Sequence, residues 1–167
     1  MRSRIIAWSL LAAAIPVASL AADNDRTQFM SHKAIMGLIA KAKADRKGNA
    51  PMVPEPIVQL APYKAQLEYR PGTAPAALHE KDAEFFVVLQ GKGDIVTGGK
   101  LVEEKRVNAS NLSGSSIANG DSHKVVVGDV LLVPANTPHQ VIPSGGKPIV
   151  VMTMHVPYPP ANWPPAN

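Results

Sequence analysis

Cysteine is missing from the 167 residues altogether, which excludes disulfides, thiolate metal sites and a lipoprotein anchor. A membrane-spanning run is missing as well. The apolar stretch Ile5 to Leu20 is interrupted by Pro16 and falls short of the roughly 20 residues a spanning helix needs. No dense basic patch occurs, and the aromatic residues, 5% of the chain, do not interleave with basic ones. That composition argues against a nucleic-acid partner. No internal repeat is evident, and the length suits one compact domain with a real core.

What stands at the start is a charged lead, Arg2 and Arg4, then the apolar run, then the small-residue site Ser19-Leu20-Ala21. This is the pattern of a cleavable secretory signal over residues 1–21, with cleavage expected after Ala21. The mature protein is then periplasmic or secreted, with no stable membrane anchor. Removing Arg2 and Arg4, and no acidic residue, lowers the formal charge from +4 to +2.

Residues 22–57 read as a helix followed by a proline-rich connector. Ile35, Leu38, Ile39 and Ala42 recur at helical spacing, with Ser31 as N-cap and lysines crowding the C-terminal end. The helix is expected over about Ser31 to Arg46, its apolar face packing on the main domain or on a second subunit. Pro51, Pro54 and Pro56 mark residues 48–57 as an extended connector.

From residue 58 to 156 the pattern is short strands with Gly-rich turns, the signature of an antiparallel β-barrel or sandwich. Ala65 to Arg70 alternates, with Leu67 and Tyr69 on one face and Gln66, Glu68 and Arg70 on the other. Glu84 to Gln90 carries Phe85-Phe86-Val87-Val88-Leu89, apolar on both faces, and is expected to be a fully buried central strand. Gly98-Gly99 predicts a hairpin from Asp94–Thr97 into Lys100–Val102. Residues 107–122, mostly small and polar, predict a long loop rimming a pocket. Val130 to Val133 predicts a buried strand. Pro134, a tight turn at Asn136 and Pro138 then predict a hairpin that delivers His139 on a second strand, His139 to Ile142. Residues 157–167, with five prolines, are expected to form an extended tail.

Two histidines and a glutamate carry the candidate chemistry. Glu84 opens the greasiest strand, on the face of Phe86 and Val88, where a carboxylate is costly unless paired, solvated or bound to metal. His79 stands just before it, and His139 comes from the distant segment. Together they make a 2-His-1-carboxylate set. His155 shares a strand face with Val151 and Thr153 and is either an auxiliary ligand or a histidine satisfied by hydrogen bonds at the core edge. Arg70 and Gln66 either orient an anionic substrate or, for Arg70, form a surface ion pair with Glu68. His123 reads as a solvated turn residue, and His32 at the helix start has no assigned role.

Across about Tyr63 to Val156 the chain resembles a small single-domain cupin. The first cupin motif is matched by Gly72, Ala77-Leu78-His79, Glu84 and Gly91, and the second by Gly128, Pro134-Ala135-Asn136, Thr137-Pro138 and His139. Ala77 stands where the family has its first histidine, Asn136 replaces a glycine, and Pro143 replaces a terminal asparagine. The resemblance implies an antiparallel jelly-roll barrel with one N-terminal helix. It also implies one divalent transition metal (Fe, Mn, Ni or Zn) held by His79, Glu84 and His139. It further implies a small-molecule substrate, dioxygenase-, isomerase- or lyase-type chemistry, and a homodimer. The alternative is a non-catalytic binding or assembly barrel that has lost its metal, with His79 and Glu84 hydrogen-bonded to each other.

Overall fold

The structure is a computed structural model that describes residues 27–157. The expected signal at 1–21 and the tail beyond residue 157 lie outside the described residues. Helix α1 (His32–Asp45) starts where the Ser31 hydroxyl accepts the Ala34 amide at 3.2 Å, as an N-cap should. Its stripe of Ile35, Leu38, Ile39 and Ala42 packs on Leu67, Tyr69 and Val150. Each buried aliphatic of this kind stabilises the docking by roughly 1.5–3 kcal/mol. The Lys41 ammonium adds an ion pair to Glu55 at 2.6 Å.

The strands are β1 (Val53–Leu60), β2 (Tyr63–Arg70), β3 (Ala76–His79), β4 (Asp82–Gln90), β5 (Lys92–Thr97), β6 (Lys100–Val102) and β7 (Lys105–Asn108). They continue with β8 (Asn111–Gly114), β9 (Ser116–Ala118), β10 (Asp121–Val126), β11 (Val130–Val133), β12 (His139–Pro143) and β13 (Ile149–Pro157). One sheet has the order β1-β2-β13-β4-β11 and another β10-β5-β12-β3-β8-β7, while β6 and β9 pair separately. Every described pairing is antiparallel. This is the all-β jelly-roll architecture with one N-terminal helix that the sequence predicts.

The period-2 alternation of β2, β4 and β13 decides what the five-stranded sheet shows on each side. Phe86, Val88, Val133 and Val151 pack with Ile95, Val125 and Val141 of the other sheet to form the inner core. On the outer face, α1 covers the β2 side. Two rows beyond it, Leu132–Phe85–Met154 and Val130–Val87–Met152, carry no charged side chain, and Leu132 and Val130 are exposed.

Several expectations about connectivity are corrected. The connector is not unpaired: β1 begins at Val53, ahead of residue 58, because Pro54 and Pro56 are tolerated on a sheet edge, where missing amide donors cost little. Residues 107–122 are not a loop but mostly short strands. Their small polar residues close tight turns, as when Asn108 accepts the Ser110 amide at 3.0 Å. Gly98-Gly99 does not make a β5–β6 hairpin. The Gly98 amide donates to the Pro138 carbonyl at 2.9 Å, and β6 goes on to pair with β9.

Nor are β11 and β12 a hairpin; they belong to different sheets. Asn136 does adopt positive φ, 61°, but its amide donates across to the His79 carbonyl at 2.7 Å instead of closing a ladder. The chain therefore turns a corner of the sandwich. As an edge strand, β11 buries Val133 and leaves Val130 and Leu132 exposed. Similarly, β4 is central, but only its inward face, Glu84, Phe86 and Val88, is fully buried.

Candidate metal centre

The inward rows of both sheets meet at one end of the sandwich. Glu84 of β4 lies opposite His155 of β13, so both point inward across the five-stranded sheet. From the facing sheet, His139 of β12 pairs with Ala77 of β3, and His79 lies two residues further along the same face. The three residues predicted to share a site do converge, and His155 joins them.

Glu84 is at the middle. Its Oε2 lies 2.8 Å from His139 Nε2 and 3.3 Å from His79 Nε2, and its Oε1 lies 3.8 Å from His155 Nε2. The His79 and His155 rings meet edge-on with centroids 4.5 Å apart, and His139 packs edge-on against Phe86 at 5.8 Å. His79, Glu84 and His155 each offer a ligand atom, all within 4.8 Å of one another, so this group can hold a metal ion.

The tautomers are set from behind. His139 Nδ1 faces the Thr137 carbonyl at 3.2 Å, an oxygen that only accepts, and His79 Nδ1 faces the Asn111 side-chain oxygen at 2.7 Å. With each Nδ1 carrying its proton, each Nε2 turns a lone pair towards the carboxylate. Lone pairs facing a carboxylate repel unless a cation lies between them. Without metal, protons fill that role. Burial pushes the Glu84 carboxyl up, but the hydrogen bonds from His139 and His79 outweigh it and hold the group well below the usual carboxylate range. Burial likewise pulls His79 down, yet its bonds to Glu84 and Asn111 leave it raised; burial dominates at His155, which is lowered. The donor set, three imidazoles and a carboxylate with no thiolate, suits a borderline divalent transition metal.

A cavity of about 270 Å³ extends inward from the cluster, lined among others by His79, Glu84, His139, His155, Ala77, Gln66, Glu68 and Arg70. Gln66, Glu68 and Arg70 share the inward face of β2, as alternation predicts. The Arg70–Glu68 pair is not on the surface: Glu68 is 3% exposed, and Arg70 Nη2 and Nε reach its Oε2 at 2.6 and 2.8 Å. Gln66 Nε2 donates to the other carboxylate oxygen at 2.7 Å.

His155 makes no hydrogen bond within 3.5 Å among the described residues, its Nε2 lying 3.8 Å from Glu84 Oε1. His123 is on β10, not in a turn. It is exposed, with Nε2 3.1 Å from the Thr97 hydroxyl. His32 is exposed on the first turn of α1, far from the cluster in the chain. Sequence reasoning did not find Asn111, which orients His79. Its signal lay in the register of β3 against β8, where Asn111 stands opposite His79.

No protein-family model matches the sequence, and no curated protein matches it. Solved structures do match the fold. A Klebsiella pneumoniae protein with a double-stranded β-helix domain aligns at TM-score 0.53 and 13% identity, over 79% of this chain and 91% of its own. TT1209 from Thermus thermophilus aligns at TM-score 0.52 and 16% identity, over 80% of this chain and all of its own. The iron(II) form of HppE aligns at TM-score 0.50 and 15% identity, over 67% of this chain and 54% of its own. The chain therefore has the cupin fold, the double-stranded β-helix. Within that fold it carries a buried His/Glu cluster able to hold a metal.

Proposed function

We propose that the protein is an exported metal-binding cupin that holds one divalent ion through His79, Glu84, His139 and His155 and acts on a small organic molecule in the adjoining cavity. The observation that carries this reading is the set of imidazole Nε2 atoms around the Glu84 carboxylate, with the Nδ1 atoms of His79 and His139 already committed. Ala77 removes one familiar ligand position, and His155, reaching in from β13, makes up the number of donors. Bound there, Fe, Mn, Ni or Zn would supply Lewis-acid polarisation of a carbonyl or enediol, or in the case of iron a centre for dioxygen chemistry. Dioxygenase, isomerase and lyase chemistries all suit such a centre. The chain's own residues would fix the ion, keep water out through Phe86 and Val141, and orient the substrate from the β2 wall.

Export rests on the pattern of residues 1–21 and on the lack of cysteine. Homodimerisation rests on the uncharged outer rows of the five-stranded sheet, where Val130 and Leu132 are exposed. The deciding experiment is elemental analysis of untagged protein purified from its own compartment. About one transition metal per chain is expected. If none is found, and added Fe, Mn, Ni and Zn leave the melting temperature unchanged, the metal reading is lost and the non-catalytic binding barrel takes its place.

A further inference from the structure

The β2 wall of the cavity has a chemistry distinct from the histidine cluster. Glu68 is almost completely buried, and both its oxygens are occupied, one by Arg70 and the other by Gln66. The Arg70 charge is thereby cancelled at 2.6 Å, so it gives the wall no net attraction for an anion. Gln66 is fixed in orientation, because only its NH2 can face a carboxylate, and its Oε1 is left as an acceptor. Arg70 Nη1 makes no hydrogen bond among the described residues and is left as a donor. The wall therefore offers one acceptor and one set of donors, around a carboxylate whose Oε2 already meets two Arg70 nitrogens and whose Oε1 accepts from Gln66.

From this wall we infer that the end of the ligand facing β2 is uncharged and hydroxylated, an inference that rests on the small-molecule reading of the cavity. A hydroxyl donates to the Gln66 oxygen and accepts from Arg70. A second carboxylate cannot donate, would set its lone pairs against Gln66 Oε1, and would give up its hydration without a net positive charge to meet it. On this inference Arg70 and Gln66 orient a hydroxyl instead of an anion, because Glu68 neutralises Arg70. Glu68 acts here as a specificity residue, through the guanidinium it neutralises.

The test uses pairs of acids that share one carboxylate, available to a metal, and differ only at the far end. Suitable pairs are 3-hydroxypropionate and malonate, 4-hydroxybutyrate and succinate, and 5-hydroxyvalerate and glutarate. Calorimetric titration of the purified protein, its metal content measured beforehand, should show at least one hydroxy acid binding about tenfold or more tightly than its diacid, the scale of one hydrogen bond to a charged group. Glu68→Gln frees the Arg70 charge and should invert that preference. Gln66→Leu, which leaves the ion pair in place, removes the acceptor and should collapse the preference for the hydroxy acid without inverting it, and it keeps the test alive should Glu68→Gln not fold. Diacids binding as tightly as their partners in the wild type would overturn the inference and leave the small-molecule reading standing. Failure of every compound to bind metal-loaded wild type would overturn both.

Discussion

Glu68 and Glu84 are both all but buried on the inner face of the same sheet, 3% and 4% exposed, Glu68 with two polar side chains for company and Glu84 with three. The difference lies in what those neighbours can give. Glu68 is met by a guanidinium and an amide NH2, donors that never lose their protons near neutral pH. Glu84 is met by three imidazoles, two of them with the nearer nitrogen left to present a lone pair. The first arrangement is complete in itself. The second depends on imidazole protons or on a metal ion to complete it, and it is this difference, more than the identity of the residues, that separates a closed carboxylate from one able to receive a metal.

Removing each carboxylate should make the contrast measurable. Glu68→Ala strands the Arg70 charge in the interior and should destabilise the protein by about 3–5 kcal/mol, the cost of breaking a buried ion pair from one side. Glu84→Ala, in metal-free protein, leaves imidazoles that can simply shed their protons, and should cost only about 1–3 kcal/mol. Urea denaturation of both variants reads this directly, and a larger loss at Glu84 would break the distinction.

The added cation should matter at one site alone. Excess metal, at about a hundred times its dissociation constant, should stabilise wild type by about 2.7 kcal/mol, and His139→Ala or His155→Ala should remove most of that gain without unfolding the barrel. Ala77, which pairs with His139 and lines the cavity, gives the converse: Ala77→His should tighten binding. A His155→Ala variant that keeps the full metal-linked shift would return the site to three ligands.

The smallest effect is in pH. In metal-free protein the depressed Glu84 contributes stability above its unfolded pKa, roughly 4.3, and that contribution is lost as the pH falls through the lower folded value. The raised His79 contributes fully below its unfolded value, roughly 6.5, and loses its contribution as the pH rises through the higher folded value. Protonating His155, whose pKa is lowered, works the other way as the pH drops. Melting temperature should therefore peak in mildly acidic buffer, and the peak should flatten in Glu84→Ala. A profile unchanged by that substitution would place the titration elsewhere.

Local pattern was enough to find much of this. Alternation in β2 put Gln66, Glu68 and Arg70 on one face, helical spacing found the docking stripe of α1, and Asn136 was legible as a left-handed turn residue. The cost of a carboxylate beside Phe86 and Val88 marked Glu84, and motif spacing gathered His79 and His139 to it. What escaped was pairing between segments far apart in the chain. Whether Val130–Val133 continues into His139 as a hairpin or turns a corner between sheets depends on Glu84 and Ala77 as partners, not on the turn itself. Pro54 and Pro56 looked like a connector because their tolerance at a sheet edge is a property of position. Asn111 was hidden among small polar residues until β8 fell into register with His79.

The position of β13 has a consequence for assembly. The last described strand of the chain is not at an edge but between β2 and β4, and it supplies Val151 and His155 to the inner face. Until it is inserted, the two strands bearing Glu68 and Glu84 have no sheet joining them, and Glu84 lacks its His155 neighbour. A chain emerging from N- to C-terminus thus cannot bring His155 to Glu84 before β13 is made. On the metal reading proposed above, capture through His155 waits until β13 has paired with both β2 and β4.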